Sequence, residues 1–178
     1  MNLFSTETYK KRREALKAAV GTGQLLFLGN QQSAMNFGAN HYPFRQDSSF
    51  LYFFGLDQPG LAALIDVDAG SEVLFGDDLT MDDVVWEGPQ PSMSELAALV
   101  GMSEVRALSA LSGQIHPDVQ FLPPYRPENK IWLAELLQQN IPWIASNHST
   151  SLIKAIVSIR SVKEPQEIEQ ISDAVSIT

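Results

Sequence analysis

Short apolar runs alternate along this chain with stretches of helical periodicity, and no other feature restricts its fold so strongly. Gln24 to Leu28 is an apolar run bounded by glycines. Leu61 to Val67 and Ser71 to Phe75 are two more, joined by the turn Asp68-Ala69-Gly70, and Val119 to Leu122 is a fourth. Runs of this length, closed by turn residues, predict buried strands, and the middle pair predicts a hairpin. Phe50 to Phe54, aromatic and stopped by Gly55, is expected to be a further strand. Between these runs the period changes. Tyr9, Leu16 and Val20 recur at helical spacing after Ser5 and Thr6, and Gly21 ends that helix. Ser92 and Glu95 form a capping box before Leu96, Leu99 and Val100. Pro127 suits the first position of a helix carrying Ile131, Trp132, Leu136 and Leu137. Leu152, Ile153, Ile156 and Ile159 mark another; after a break over Arg160 to Lys163, Ile168, Ile171 and Val175 mark a last one. Asp77 to Gln90 is expected to be a long acidic loop with a short helical piece. Strands alternating with helices predict an α/β layered domain.

The 178 residues suffice for one domain with a core. Twelve basic against twenty-one acidic residues leave a net charge of −9, which argues against nucleic acid as a partner. The one dense basic run, Lys10 to Arg13 with Lys17 nearby, is expected to be a solvated helix face. There are no cysteines, so disulfides, thiolate chemistry and cysteine-based zinc sites are excluded. Met1 to Lys10 lacks an apolar run suited to a signal peptide, and no stretch approaches the roughly 20 apolar residues of a membrane span. The expectation is a cytoplasmic location without a membrane partner, which makes the glycosylation pattern Asn147-His148-Ser149 accidental.

Candidate chemistry is sparse. His41, His116 and His148 are far apart in sequence and none belongs to a zinc motif. Gly101 to Val105 begins like a nucleophile elbow but lacks its closing glycine. Gly21-Thr22-Gly23 precedes a strand, the wrong order for a phosphate cradle, and is expected to be a helix-to-strand turn. Asp66, Asp68, Asp77, Asp78, Asp82 and Asp83 could gather around a cation, but their turn and loop positions favour backbone bonding or solvation.

The segment Tyr42-Pro43-Phe44-Arg45-Gln46-Asp47-Ser48, leading into Phe50-Leu51-Tyr52-Phe53-Phe54-Gly55, resembles the signature of the N-terminal domain of aminopeptidase P and prolidase, the creatinase-like "pita-bread" peptidases. Two further segments are similar to that family. Asp83-Val84-Val85-Trp86-Glu87-Gly88 resembles its Trp-x-Gly loop, and Arg160 to Ile168 resembles the Arg-x-x-Lys-x-x-x-Glu-Ile connection into the catalytic domain.

The resemblance implies a single α/β domain with a mixed sheet flanked by helices over residues 1–160. Residues 161–178 would begin the connecting helix into a C-terminal catalytic domain not contained here. It implies an accessory domain of a metal-dependent Xaa-Pro aminopeptidase or dipeptidase, the Tyr-Pro-Phe-Arg-Gln form being nearer to aminopeptidase P. Two divalent ions, manganese by family habit, would sit in the catalytic domain, which holds the two Asp, one His and two Glu ligands. No catalytic residue and no metal ligand falls to this chain, and the spacing of Asp66 and Asp77 is a decoy. Proline-containing peptides would be the substrates of the full enzyme, and a homo-oligomer is expected. Trp86 is the main substrate-pocket candidate, since in related peptidases a Trp of this loop reaches toward the pocket, often that of a neighbouring subunit. The alternative is that Trp86 plugs its loop against the core. His41 is a second pocket candidate. Tyr42, Pro43, Arg45 and Gln46 have structural roles in this reading, with Arg45 expected to hold a carboxylate or carbonyls. A catalytically inactive relative that binds protein or peptide, as in the histone-chaperone branch, is the competing reading. Amidinohydrolase chemistry of the creatinase type is a third.

Overall fold

The computed structural model describes residues 4–177. Met1 to Leu3, part of the stretch searched for a leader, and Thr178, the end of the expected connecting segment, lie outside the described residues. In chain order the elements are α1 (Thr6–Val20), β1 (Gln24–Leu28), α2 (Ser48–Phe54), β2 (Ala62–Asp66), β3 (Ser71–Phe75), α3 (Met81–Glu87), α4 (Met93–Leu99) and β4 (Glu104–Arg106). A 3-10 segment (Leu108–Gln114), β5 (Gln120–Phe121), α5 (Pro127–Leu137), α6 (Ile141–Ser146), α7 (Thr150–Ser161) and α8 (Pro165–Ile177) complete them.

The strands form one mixed sheet in the order β4-β3-β2-β1-β5. Strand β2 is antiparallel to both β1 and β3, while β1 pairs with β5, and β3 with β4, in parallel. Alternate side chains of each strand feed two separate cores. Leu25, Phe27, Ala63, Ile65 and Leu74 face the layer of α1, α2, α4 and α7. Leu26, Ala62, Leu64, Val73 and Phe75 face the 3-10 segment, α5 and α6. With both faces covered, the strands carry near-continuous apolar runs rather than alternating ones. The expected α/β architecture with a mixed sheet is therefore the observed one.

Phe50 to Phe54 differs from its expectation: it is helix α2, not a strand. Asp47 caps the helix, its carboxylate accepting from the Ser49 and Phe50 amides at 2.9 Å, and Gly55 closes it in the left-handed region at φ +65°. Helical spacing puts Phe50, Phe53 and Phe54 together in the core. Burying each ring contributes about 1.5–3 kcal/mol. Intrinsic strand preference spans only about 1 kcal/mol, so packing decides. Strand β4 and the 3-10 segment lack a strong local signal and differ from expectation, as does α6, although Asn140 caps it through the Trp143 amide and Pro142 sits in its first turn.

The basic run also departs from expectation. Lys10 and Lys11 are exposed, but Arg12 is only 3% exposed and Arg13 is fully enclosed at 0%. Arg13 donates to Glu72 at 2.7 Å, to the Phe53 carbonyl at 3.1 Å and to the Val100 carbonyl at 2.9 Å. One guanidinium thus terminates α2 and α4 and pairs with β3. A cation suits a helix carboxyl end, where unpaired carbonyls concentrate negative potential.

Candidate functional site

Four of the five strands run in the same direction, so the carboxyl ends of β1, β3, β4 and β5 share one end of the sheet. The loops 29–47, 76–92 and 122–126 all leave from that end, and the segment entering β2 reaches it as well. Every residue singled out from the family-like motifs, Trp86, His41, Tyr42, Pro43, Arg45 and Gln46, lies in the first two of these loops. In open α/β sheets this end is the usual place for ligand contacts, because diverging loops leave a crevice there.

Gln46 builds the first loop from beneath. It is buried, and its side-chain oxygen accepts from the Asn30 amide at 2.7 Å and the Asp47 amide at 2.9 Å. Its side-chain nitrogen donates to the Gln58 carbonyl at 2.7 Å and, more weakly, to the Leu56 carbonyl at 3.3 Å. One amide therefore ties the end of β1, the start of α2 and the approach to β2. Asn30, also buried, donates through its side chain to the Arg45 carbonyl at 2.8 Å and to the Tyr125 hydroxyl at 3.1 Å. Gly29 leaves room for this junction, since a Cβ there would lie 2.8 Å from the Leu61 carbonyl.

Above that base, residues 33–42 fold back on themselves. Tyr42 donates its amide to Ser33, Met35 to Asn40, and Ala34 pairs with His41 in an isolated bridge. Arg126 holds the finger to the amino end of α5 through the Ser33 hydroxyl at 3.1 Å. His41, Tyr42, Pro43 and Arg45 are all exposed, as are Met35, Phe37 and Tyr125 beside them. Arg45 differs from its expectation. Its guanidinium has no hydrogen-bond or ion-pair partner among the described residues, and only its backbone carbonyl is held.

Trp86 projects from α3 in the second loop and is 87% exposed. It does not plug the loop against this domain's core. Val85 and Met81 on the same short helix are exposed too. The loop is nevertheless anchored at both ends. Asp77 accepts from the Leu108 amide at 3.0 Å, and Asp78 from the Met93 amide at 2.6 Å. Thr80 and Asp83 form a capping box that starts α3.

The acidic residues are spent in this way on turns and caps. Asp68 accepts from the Thr22 hydroxyl and the Gly23 amide, and these bonds hold its carboxyl below the usual range. Asp83 and Glu95 are lowered likewise by Thr80 and Ser92. Asp66 closes its own turn by accepting from Ala69. No group of three or more His, Asp or Glu among the described residues is placed to hold a metal ion. His116 lies at the opposite end of the sheet from His41, its amide bonded to Gln24, and His148 contacts the Ala145 carbonyl.

A model of the family described as "Aminopeptidase P, N-terminal domain" matches residues 9–121. The chain belongs to this family. Among curated relatives, a protein of Aspergillus clavatus designated a probable Xaa-Pro aminopeptidase is 27% identical over 169 residues, covering 92% of this chain and 33% of its own length. A histidine-to-alanine variant of Escherichia coli aminopeptidase P has the same fold, with a TM-score of 0.73 at 19% identity over 93% of this chain and 41% of that one. The zinc-substituted Escherichia coli enzyme in complex with product gives a TM-score of 0.61 at 19% identity, covering 76% of this chain and 33% of that one. This aminopeptidase P N-terminal domain spans about a third of the length of the curated relatives it matches.

Sequence reasoning missed several residues that shape this aminopeptidase P N-terminal domain: Asn30 beneath the first loop, Tyr125 beside it, Asn129, which is buried and donates to the Gly29 carbonyl and the Asn30 side-chain oxygen at 3.4 Å, and the buried Arg12 and Arg13. For the two arginines a signal existed. Tyr9, Arg12, Arg13 and Leu16 occupy one helical stripe, which places both cations on the apolar face of α1.

Proposed function

We propose that this chain is the accessory N-terminal domain of a metal-dependent Xaa-Pro aminopeptidase, walling the substrate pocket and supplying subunit contacts. The observation that carries this reading is the coverage. The chain aligns over nearly its whole length with Xaa-Pro aminopeptidases, yet accounts for about a third of them. The proposed division puts the accessory domain at 1–160 and the start of the connection at 161–178.

The described residues of this domain do not fit a divalent metal pair, since no three ligating side chains converge. Metal chemistry, with manganese as the proposed ion, is assigned to the remainder of the enzyme, and no step here passes through it. What this domain offers is a shaped, partly aromatic surface at the carboxyl end of its sheet. Trp86 is the proposed pocket wall because its ring is presented outward on an anchored loop, and an aromatic face packs well against a proline ring. His41 is the proposed polar companion on the neighbouring loop. Contact of Trp86 with a second subunit's pocket would make the homo-oligomer functional, and a cytoplasmic location completes the proposal.

The test uses the product of the complete reading frame. Trp86→Ala is expected to lower kcat/KM for Xaa-Pro peptides by about tenfold, the order of a lost ring contact of ~1.4 kcal/mol, with metal content unchanged. Trp86→Phe should recover most of the loss. Unaltered kinetics in Trp86→Ala would remove Trp86 from the pocket. A reading frame lacking the two Asp, one His and two Glu would replace the enzymatic reading with peptide or protein binding.

A further inference from the structure

The face of α1 that carries Thr8, Lys11 and Arg12 is turned toward the break between α7 and α8. Lys11 donates to Glu164 at 2.8 Å. Thr8 and Gln166 exchange hydrogen bonds at 3.1–3.3 Å. Arg12 faces two carboxylates, Glu164 at 3.7 Å and Glu167 at 3.5 Å.

The two sides of this contact are held very differently. Arg12 belongs to the body of the domain. Its guanidinium lies 3.9 Å from the Tyr52 ring centroid and 4.6 Å from that of Phe4, and it donates to the Tyr52 carbonyl at 3.0 Å. Helix α8, in contrast, buries none of its residues, and Ile168 and Ile171 are about half exposed. Within the described residues α8 is held to the body of the domain by the polar and charged contacts at its entry rather than by apolar packing.

Those contacts are incomplete. Among the described residues the buried Nε and Nη2 atoms of Arg12 make no hydrogen bond, and Nη2 meets Glu164 and Glu167 only as longer ion pairs at 3.7 and 3.5 Å. An unpaired donor on a buried guanidinium is costly, and an approach of under about 1 Å by either carboxylate would give Nη2 a hydrogen bond.

We propose that Lys11 and Arg12 form an ionic clasp with Glu164 and Glu167 that sets the angle at which α8 leaves the domain. The charged and titratable groups facing it are Lys11 and Arg12 from α1, Tyr52 from α2, Arg160 from α7, and Glu164 and Glu167 themselves. The hydrogen bond from Lys11, more than any other influence, holds the Glu164 carboxyl below its ordinary value of 4.5, against the opposing effect of partial burial. Glu164 therefore keeps its charge until the pH falls through that lowered value.

Residues 1–178 contain no cysteine, so a label pair can be introduced into the full-length protein once any cysteine elsewhere in it is replaced. Ala18→Cys on α1 and Asp173→Cys on α8 are exposed sites for nitroxides, and pulsed electron paramagnetic resonance reads the spread of distances between them. In the labelled parent a single narrow distribution is expected. The Glu164→Gln, Glu167→Gln pair removes both charges but keeps an oxygen able to accept the Glu164 amide now bonded to Glu167. It should broaden the distribution by about twofold or shift its maximum, while far-ultraviolet circular dichroism shows α8 still helical. Lys11 is 76% exposed, so Lys11→Glu does not endanger the fold; it should broaden the distribution, and adding Glu164→Lys should narrow it again. A broad distribution in the parent, or an unchanged one in both the double-glutamine and the Lys11→Glu variants, would overturn the proposal.

Discussion

Gly55 shows how much one residue can decide. It ends α2 at φ +65°, and a Cβ built on it would overlap the hydroxyl end of the Tyr9 ring, itself buried in the core. Alanine at this position would have to adopt the left-handed region and displace a packed aromatic ring at once. The two penalties together are roughly 2–5 kcal/mol. Gly55→Ala is therefore expected to lower the urea midpoint of unfolding by that equivalent, and a loss under about 1 kcal/mol would show that Tyr9 has room to move. Gln46 is decisive in another way. Both ends of its amide are committed to three separate backbone segments, and so the exposed Tyr42, Pro43 and Arg45 stand on a fixed base.

Among elements, α1 organises the layer that covers one face of the sheet. Its apolar stripe contains Arg13, and that guanidinium reaches the carbonyls ending α2 and α4 as well as Glu72 on β3. Lys17 also approaches Glu72, at 3.1 Å, so the carboxylate is not wholly dependent on Arg13. The carbonyls have no such substitute. Arg13→Met would fill similar space while leaving Phe53 and Val100 short of a donor and Glu72 half-paired. A loss of about 3 kcal/mol is expected, the usual size for removing one member of a buried pair. Equilibrium urea unfolding with an unchanged slope would check it. A loss near zero would mean that α2 and α4 are terminated by water equally well.

For the whole molecule, the acid limb of stability follows from where its carboxylates are placed. Asp68, Asp83, Glu95 and Glu164 are each held below their ordinary values of 3.8 for Asp and 4.5 for Glu, by hydrogen bonds from Thr22, Thr80, Ser92 and Lys11 respectively. A carboxyl lowered in the folded state contributes stability that is complete above its unfolded value. That contribution drains away as the pH falls through the lowered one. Urea midpoints measured from about pH 7 down to about pH 3 should hold level at first and then decline below about pH 4.5. A midpoint that stays level to pH 3 would show that these bonds persist only as neutral contacts. At this scale too, the common direction of four strands brings the loops bearing His41 and Trp86 to one end of the sheet, although residues 41 and 86 are far apart in the chain.

The alternation of strands and helices, the hairpin turn at Asp68 to Gly70, the capping box at Ser92 and Glu95, and the likeness to the family over Tyr42 to Gly55 are all legible in residue order. Those signals are local, carried by spacing and by side chains that bond their own neighbours. For the other features local signals were present, but contacts between distant segments settled the outcome. Phe50 to Phe54 became a helix because three rings share one core pocket, although Asp47 before it and Gly55 after it already had the pattern of helix caps. Arg12 and Arg13 went inward because Tyr52, Phe53, Glu72, Val100, Glu164 and Glu167 arrive around them from distant parts of the chain. A buried charge is stable only where its partners have been assembled, and their assembly is a property of the fold rather than of any window of sequence.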